Sequence, residues 1–80
     1  MAETEEQQRC RLQREDVWRW VRGGDWWTLY DLEAHTRHPV QSISARLRDL
    51  RKPAFGGWTV ERRYQGAGVF EYRVLTGQGA

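Results

Sequence analysis

The sequence predicts an α+β domain with three helices, a short strand after the first helix, and a C-terminal β-hairpin. Three observations carry this. Hydrophobic spacing is helical up to Lys52 and switches to a period of two from Trp58 onward. Thr4-Glu5-Glu6-Gln7 and Thr28-Leu29-Tyr30-Asp31 are helix-start signals. Breaks fall at Gly23-Gly24, Pro39, Pro53 and Gln65-Gly66-Ala67-Gly68.

The first helix spans roughly residues 5–22, with Thr4 as N-cap. Cys10, Val17, Trp20 and Val21 recur on one face, and Gly23-Gly24 ends it. Asp25-Trp26-Trp27 has strand character. A second helix covers about 29–36 and buries Leu29 and Leu32. Pro39 disfavours a helical His38 and makes the break. The third helix, about 40–52, sets Ile43, Leu47 and Leu50 on one side. Gln41, Ala45, Arg48 and Lys52 lie opposite, flanked by Ser42, Ser44 and Asp49. In the hairpin, Trp58 and Val60 alternate with Thr59 and Glu61. Phe70, Tyr72 and Val74 alternate with Glu71 and Arg73. The 80 residues make one domain, 1–80, with residues 1–6 and 76–80 as loose tails.

Size and composition bound the function. A chain this short buries only about 60% of its unfolded surface, which leaves little room for a deep catalytic cleft. No apolar run approaches the roughly 20 residues of a membrane span, so no membrane association is expected. The acidic start has no apolar core and does not read as a signal. The single Cys10 excludes an intramolecular disulfide, and the expectation is a reduced, soluble, intracellular protein. His35 and His38 straddle a helix end, Cys10 is far away in sequence, and no fourth ligand is evident, so no metal or other cofactor is expected. No catalytic constellation of serine, histidine and acid is present, and the chain reads as a non-enzyme.

Charge is divided along the chain. Residues 1–35 carry five arginines against eight acids, and residues 36–80 carry eight basic residues against three acids. The basic half points to an anionic partner, most simply nucleic acid. Twelve of the thirteen basic residues are arginine, which suits phosphate recognition, although GC-rich coding produces the same bias.

Several segments together resemble the winged helix-turn-helix family, particularly small phage and prophage DNA-binding proteins. These are Trp27-Thr28-Leu29 with Leu32, the stretch from Ser42 to Arg51, Phe55-Gly56-Gly57, Val60-Glu61-Arg62-Arg63 and Tyr72-Arg73-Val74. The resemblance covers about residues 15–75. Glu33 stands where the family often has a small buried residue, and Arg37 where the turn often bears glycine. The resemblance implies a double-stranded DNA-binding regulator of transcription, cytoplasmic in a bacterial or phage-infected cell. Its third helix would read the major groove while the hairpin wing follows the backbone or an adjacent groove.

On that expectation Gln41, Ser42, Ser44, Ala45 and Arg48 lie at or near base edges. Arg46, Arg51 and Lys52 reach phosphates, and Arg62 and Arg63 supply the wing's charge. Plainer readings stand beside these. Arg46 and Arg51 can pair with Asp49 or other acids, and Arg62-Arg63 can be edge-strand charge that blocks sheet-to-sheet pairing. Trp20, Trp27 and Trp58 are expected in the core, while Trp18 and Trp26 have no clear place. A different reading is a protein-interaction module on the same fold, binding a host protein. It is motivated by the acidic, Trp-rich first helix and by Asp49 in the middle of the third helix's outward face. A homodimer through the first helix, reading half-sites with the third, is compatible with DNA binding.

Overall fold

The computed structural model describes residues 2–76. Helix α1 (Glu5–Val21) is followed by strand β1 (Trp27–Thr28), α2 (Leu29–Thr36), α3 (Val40–Leu50), a 3-10 turn (Pro53–Phe55), β2 (Thr59–Gly66) and β3 (Val69–Leu75). The architecture is α+β, three helices against a three-stranded antiparallel sheet of order β1-β3-β2.

Local chemistry sets each boundary. Thr4 and Gln7 form the reciprocal capping box at the start of α1. Arg11 bonds both Glu3 and Glu15, and the bonded Glu3 carboxylate raises the pKa of its guanidinium further. Thr4, Glu5 and Glu6 therefore belong to a capped helix start, not to a loose tail. The rest of the expected C-terminal tail beyond Thr76 lies outside the described residues. Thr28 and Asp31 repeat the capping box at α2. Arg37 closes α2 at φ 65°, the left-handed conformation a glycine usually supplies. Thr36 accepts a bond from the His38 N–H, and His38 Nε2 lies 2.8 Å from Asp16 Oδ2, which ties the α2–α3 turn to α1.

Helix α3 is shorter than its expected span of 40–52. Pro53 forces Lys52 into an extended conformation (ψ 140°), so the helix closes at Leu50. The strand expected over residues 25–27 forms instead at Trp27–Thr28, where Trp27 pairs with Tyr72 and Thr28 with Glu71. The hairpin turn is tighter than the four residues expected. Only Ala67 (φ 53°) and Gly68 (φ 76°) lie between the strands, and both are left-handed, as primed hairpin turns require. A bulge between Tyr64 and Gly66 absorbs Gln65.

Val17, Val21, Leu32, Ile43, Leu47, Leu50, Val60 and Val74 form one core shared by the three helices and the hairpin. The tryptophans divide differently from expectation. Trp27 and Trp58 pack against the core, and so does Trp18, which stacks on Trp58 at 4.9 Å. Trp20 is 37% exposed, stacked on His35 and meeting Trp27 edge-on at the margin of the core. The Arg63 and Arg73 guanidiniums both lie against the Trp26 ring, at 4.2 and 4.6 Å from its centre. A Cβ on Gly56 would strike the Trp58 indole, so the turn after α3 admits only glycine while that stack is kept.

Candidate functional site

Helix α3 presents three flanks. Ile43, Leu47 and Leu50 face the core. Ser44, Arg48 and Arg51 turn toward the hairpin. Ser42, Ala45, Arg46 and Asp49 turn toward α1, and Gln41, Arg48 and Lys52 are exposed between them.

On the hairpin flank, Ser44, Leu47, Arg48 and Arg51 of α3 and its C-cap face Val60, Arg62 and Tyr72 across a cleft of about 260 Å³. Three guanidiniums line it and no carboxylate does. Arg51 donates to the Val60 carbonyl at 2.8 Å, which fixes α3 to β2 and orients that guanidinium. Arg62 lies over the Phe70 ring at 4.6 Å. Arg48 has no ion pair or hydrogen bond among the described residues. Three guanidiniums without a carboxylate partner converge on this cleft, an arrangement in which an N–H fork can meet an oxyanion without displacing an acid.

Arg46 and Arg63 lie outside this cleft, each in an ion pair. Arg46 is only 14% exposed at its side chain, and its Nε lies 3.0 Å from Asp49 Oδ2. The contact is an ion pair whose N–H points off the oxygen, since the buried Nε finds no hydrogen-bond acceptor. Arg63 bonds Glu71 at 2.8 Å and covers Trp26 on the opposite sheet face from Arg62, because adjacent strand residues alternate sides. Arg73 makes the matching pair with Glu61 on that outer face.

Asp49 does not stand in the middle of the exposed face. It turns toward α1, where Arg14, Arg46 and Lys52 approach it at 3.4, 3.0 and 3.4 Å. Its charge is compensated, and the repulsion expected toward phosphate is removed. Lys52 remains 62% exposed despite that contact.

On the α1 flank, Gln41, Ser42, Ala45 and Arg46 share a groove of about 270 Å³ with Glu6, Arg9, Cys10 and Gln13. The candidate residues are thus divided between two sides of α3. Sequence reasoning missed Tyr72 in the cleft and Arg9 and Gln13 in the groove. The signal was present in each case. Tyr72 alternates in phase with Val74, and Glu6, Cys10, Gln13 and Val17 recur at helical spacing on the face that reaches α3.

No three acidic, histidine or cysteine side chains gather into a metal-binding group among the described residues, and no described helix is long and apolar enough to cross a membrane. The chain matches no protein-family model, no curated protein and no solved structure.

Proposed function

We propose that this is a double-stranded DNA-binding protein of winged-helix design, acting as a regulator of transcription in a bacterial or phage-infected cell. The observation that carries the reading is the acid-free cleft of Arg48, Arg51 and Arg62 between α3 and the hairpin. A helix about 10–12 Å across fits a major groove about 12 Å wide. With α3 in that groove, one phosphate strand runs into the cleft. Gln41, Ala45 and Arg48 then meet base edges with Ser44 beside them, while Arg51, Arg62 and Lys52 hold phosphates. Ser42, half-buried against α1, sits at the margin of this surface.

Fluorescence anisotropy with mixed-sequence duplex DNA at about 50 and 200 mM salt tests the reading, since phosphate contacts make affinity fall steeply with salt. Arg48→Ala is expected to cost about 1–3 kcal/mol on a selected site and to relax specificity there. A folded protein with no duplex binding at low salt overturns the proposal.

One observation favours a second reading, a protein-interaction module. Trp18, Leu50, Phe55 and Trp58 line a shallow groove of about 280 Å³ beside Arg14 and Glu15. Aromatic side chains with a charged rim suit a protein partner. Capture of a defined partner that Trp58→Ala abolishes, with no duplex binding, would establish that reading in place of the first.

A further inference from the structure

The turns of α1 before Arg14 have no core-packing role that explains them, whereas Arg14 pairs with Asp49 and Asp16 with His38. No residue from Glu5 to Asp16 is buried, and the helix reaches the core only from Val17 onward, through Val17, Trp18 and Val21. A helix segment without a buried face is marginal in water. This one is nonetheless held by a capping box and by the Glu3–Arg11–Glu15 pairs. What it does is place Arg9 and Gln13 beside Gln41, Ser42 and Ala45 on the flank of α3 opposite the three-arginine cleft.

Arg9 differs from its neighbours. Arg11, Arg14 and Arg46 each approach a carboxylate within 3.4 Å, whereas exposed Arg9 has no ion pair among the described residues. Glu6 lines the same groove one turn earlier without pairing with it. A helix lying in a major groove is bordered by a phosphate strand on each side. The cleft with Arg48, Arg51 and Arg62 accounts for one strand only.

We infer that Arg9, seconded by Gln13, is a second phosphate-contacting site that grips the DNA strand on the α1 side of α3. The inference rests on the duplex-binding reading above and adds a clamp to it: α3 is held in the groove between two phosphate contacts, one from the hairpin side and one from α1. Glu6 moderates the second contact.

The test is the same anisotropy titration on the full chain. Arg9→Gln should weaken duplex binding about three- to tenfold at low salt and reduce the salt slope by about one, uniformly across DNA sequences. Glu6→Gln should strengthen binding. Arg19→Gln, at the far end of α1, serves as the control of equal charge change. Far-UV circular dichroism of each variant reports the fold. Arg9→Gln indistinguishable from Arg19→Gln, while Arg48→Ala loses binding, overturns the clamp and leaves the cleft standing. Failure of the unaltered chain to bind duplex overturns both.

Discussion

Arg37 holds a left-handed φ of 65° where α2 turns toward α3. A residue with a Cβ costs about 1–2 kcal/mol in that conformation relative to glycine. Arg37→Gly should therefore stabilise the fold. The added freedom of glycine in the unfolded chain takes back about 0.4–1 kcal/mol. A net gain of roughly 0.5–1 kcal/mol is expected as a rise in the urea midpoint with an unchanged slope. A lower midpoint would mean that the Arg37 side chain itself stabilises the turn. The break between α2 and α3 was legible from Pro39, but its left-handed closure was not, because no glycine or asparagine marks it. Asp49 gives the complementary lesson. Its i−3 pairing with Arg46 is visible in the sequence, whereas its partner Arg14 lies 35 residues away and only tertiary packing brings them together. Asp49→Asn leaves Arg14 and Arg46, both largely buried, without their shared carboxylate. A loss of about 1–3 kcal/mol is expected in denaturant unfolding.

Strand β2 separates two adjacent arginines by simple alternation. Val60 points into the core, so Arg62 shares its side and enters the cleft beneath α3, while Arg63 points the other way to Glu71 and Trp26. The period of two was legible in the sequence, and Val60 already marked the inner face. Sequence proximity grouped the arginines, and the pleat divides them. Their substitutions should diverge accordingly. Arg62→Ala is expected to weaken duplex binding and lower the salt slope by about one with little effect on stability. Arg63→Ala should leave affinity nearly unchanged and disturb the packing of Trp26, read as a change in near-UV circular dichroism. Equal losses of affinity in the two variants would mean that the outer sheet face also meets DNA. Helix α3 divides its residues by the same logic at a period of 3.6. That period predicted the buried stripe correctly. It could not say that α1 would cover the Ser42–Arg46 flank, since which helix packs where is set by the core that Val17, Val21, Leu32 and the hairpin share.

The molecule as a whole is unevenly stabilised. All eight core residues lie between Val17 and Val74, drawn from the second half of α1, α2, α3 and the paired strands. The first half of α1 hangs on caps and surface ion pairs, which contribute at most about 1 kcal/mol each in solvent. Opening of that segment therefore exposes little apolar surface and costs far less than global unfolding. Native-state hydrogen exchange should reveal this as a gradient within a single helix. Amides from Arg9 to Gln13 exchange through local fraying, insensitive to low denaturant. Those from Trp18 to Val21, with Leu47 and Leu50 of α3, exchange only with the global transition. Uniform protection along α1 would show that the first half is coupled to the core after all. The gradient also bears on recognition. A segment that frays cheaply orders at the expense of binding free energy, so duplex DNA gripped by Arg9 should raise protection at residues 9–13 well above that at the already rigid end of α1. Saturating duplex that leaves those amides unprotected while shielding α3 would place the DNA against the hairpin cleft alone.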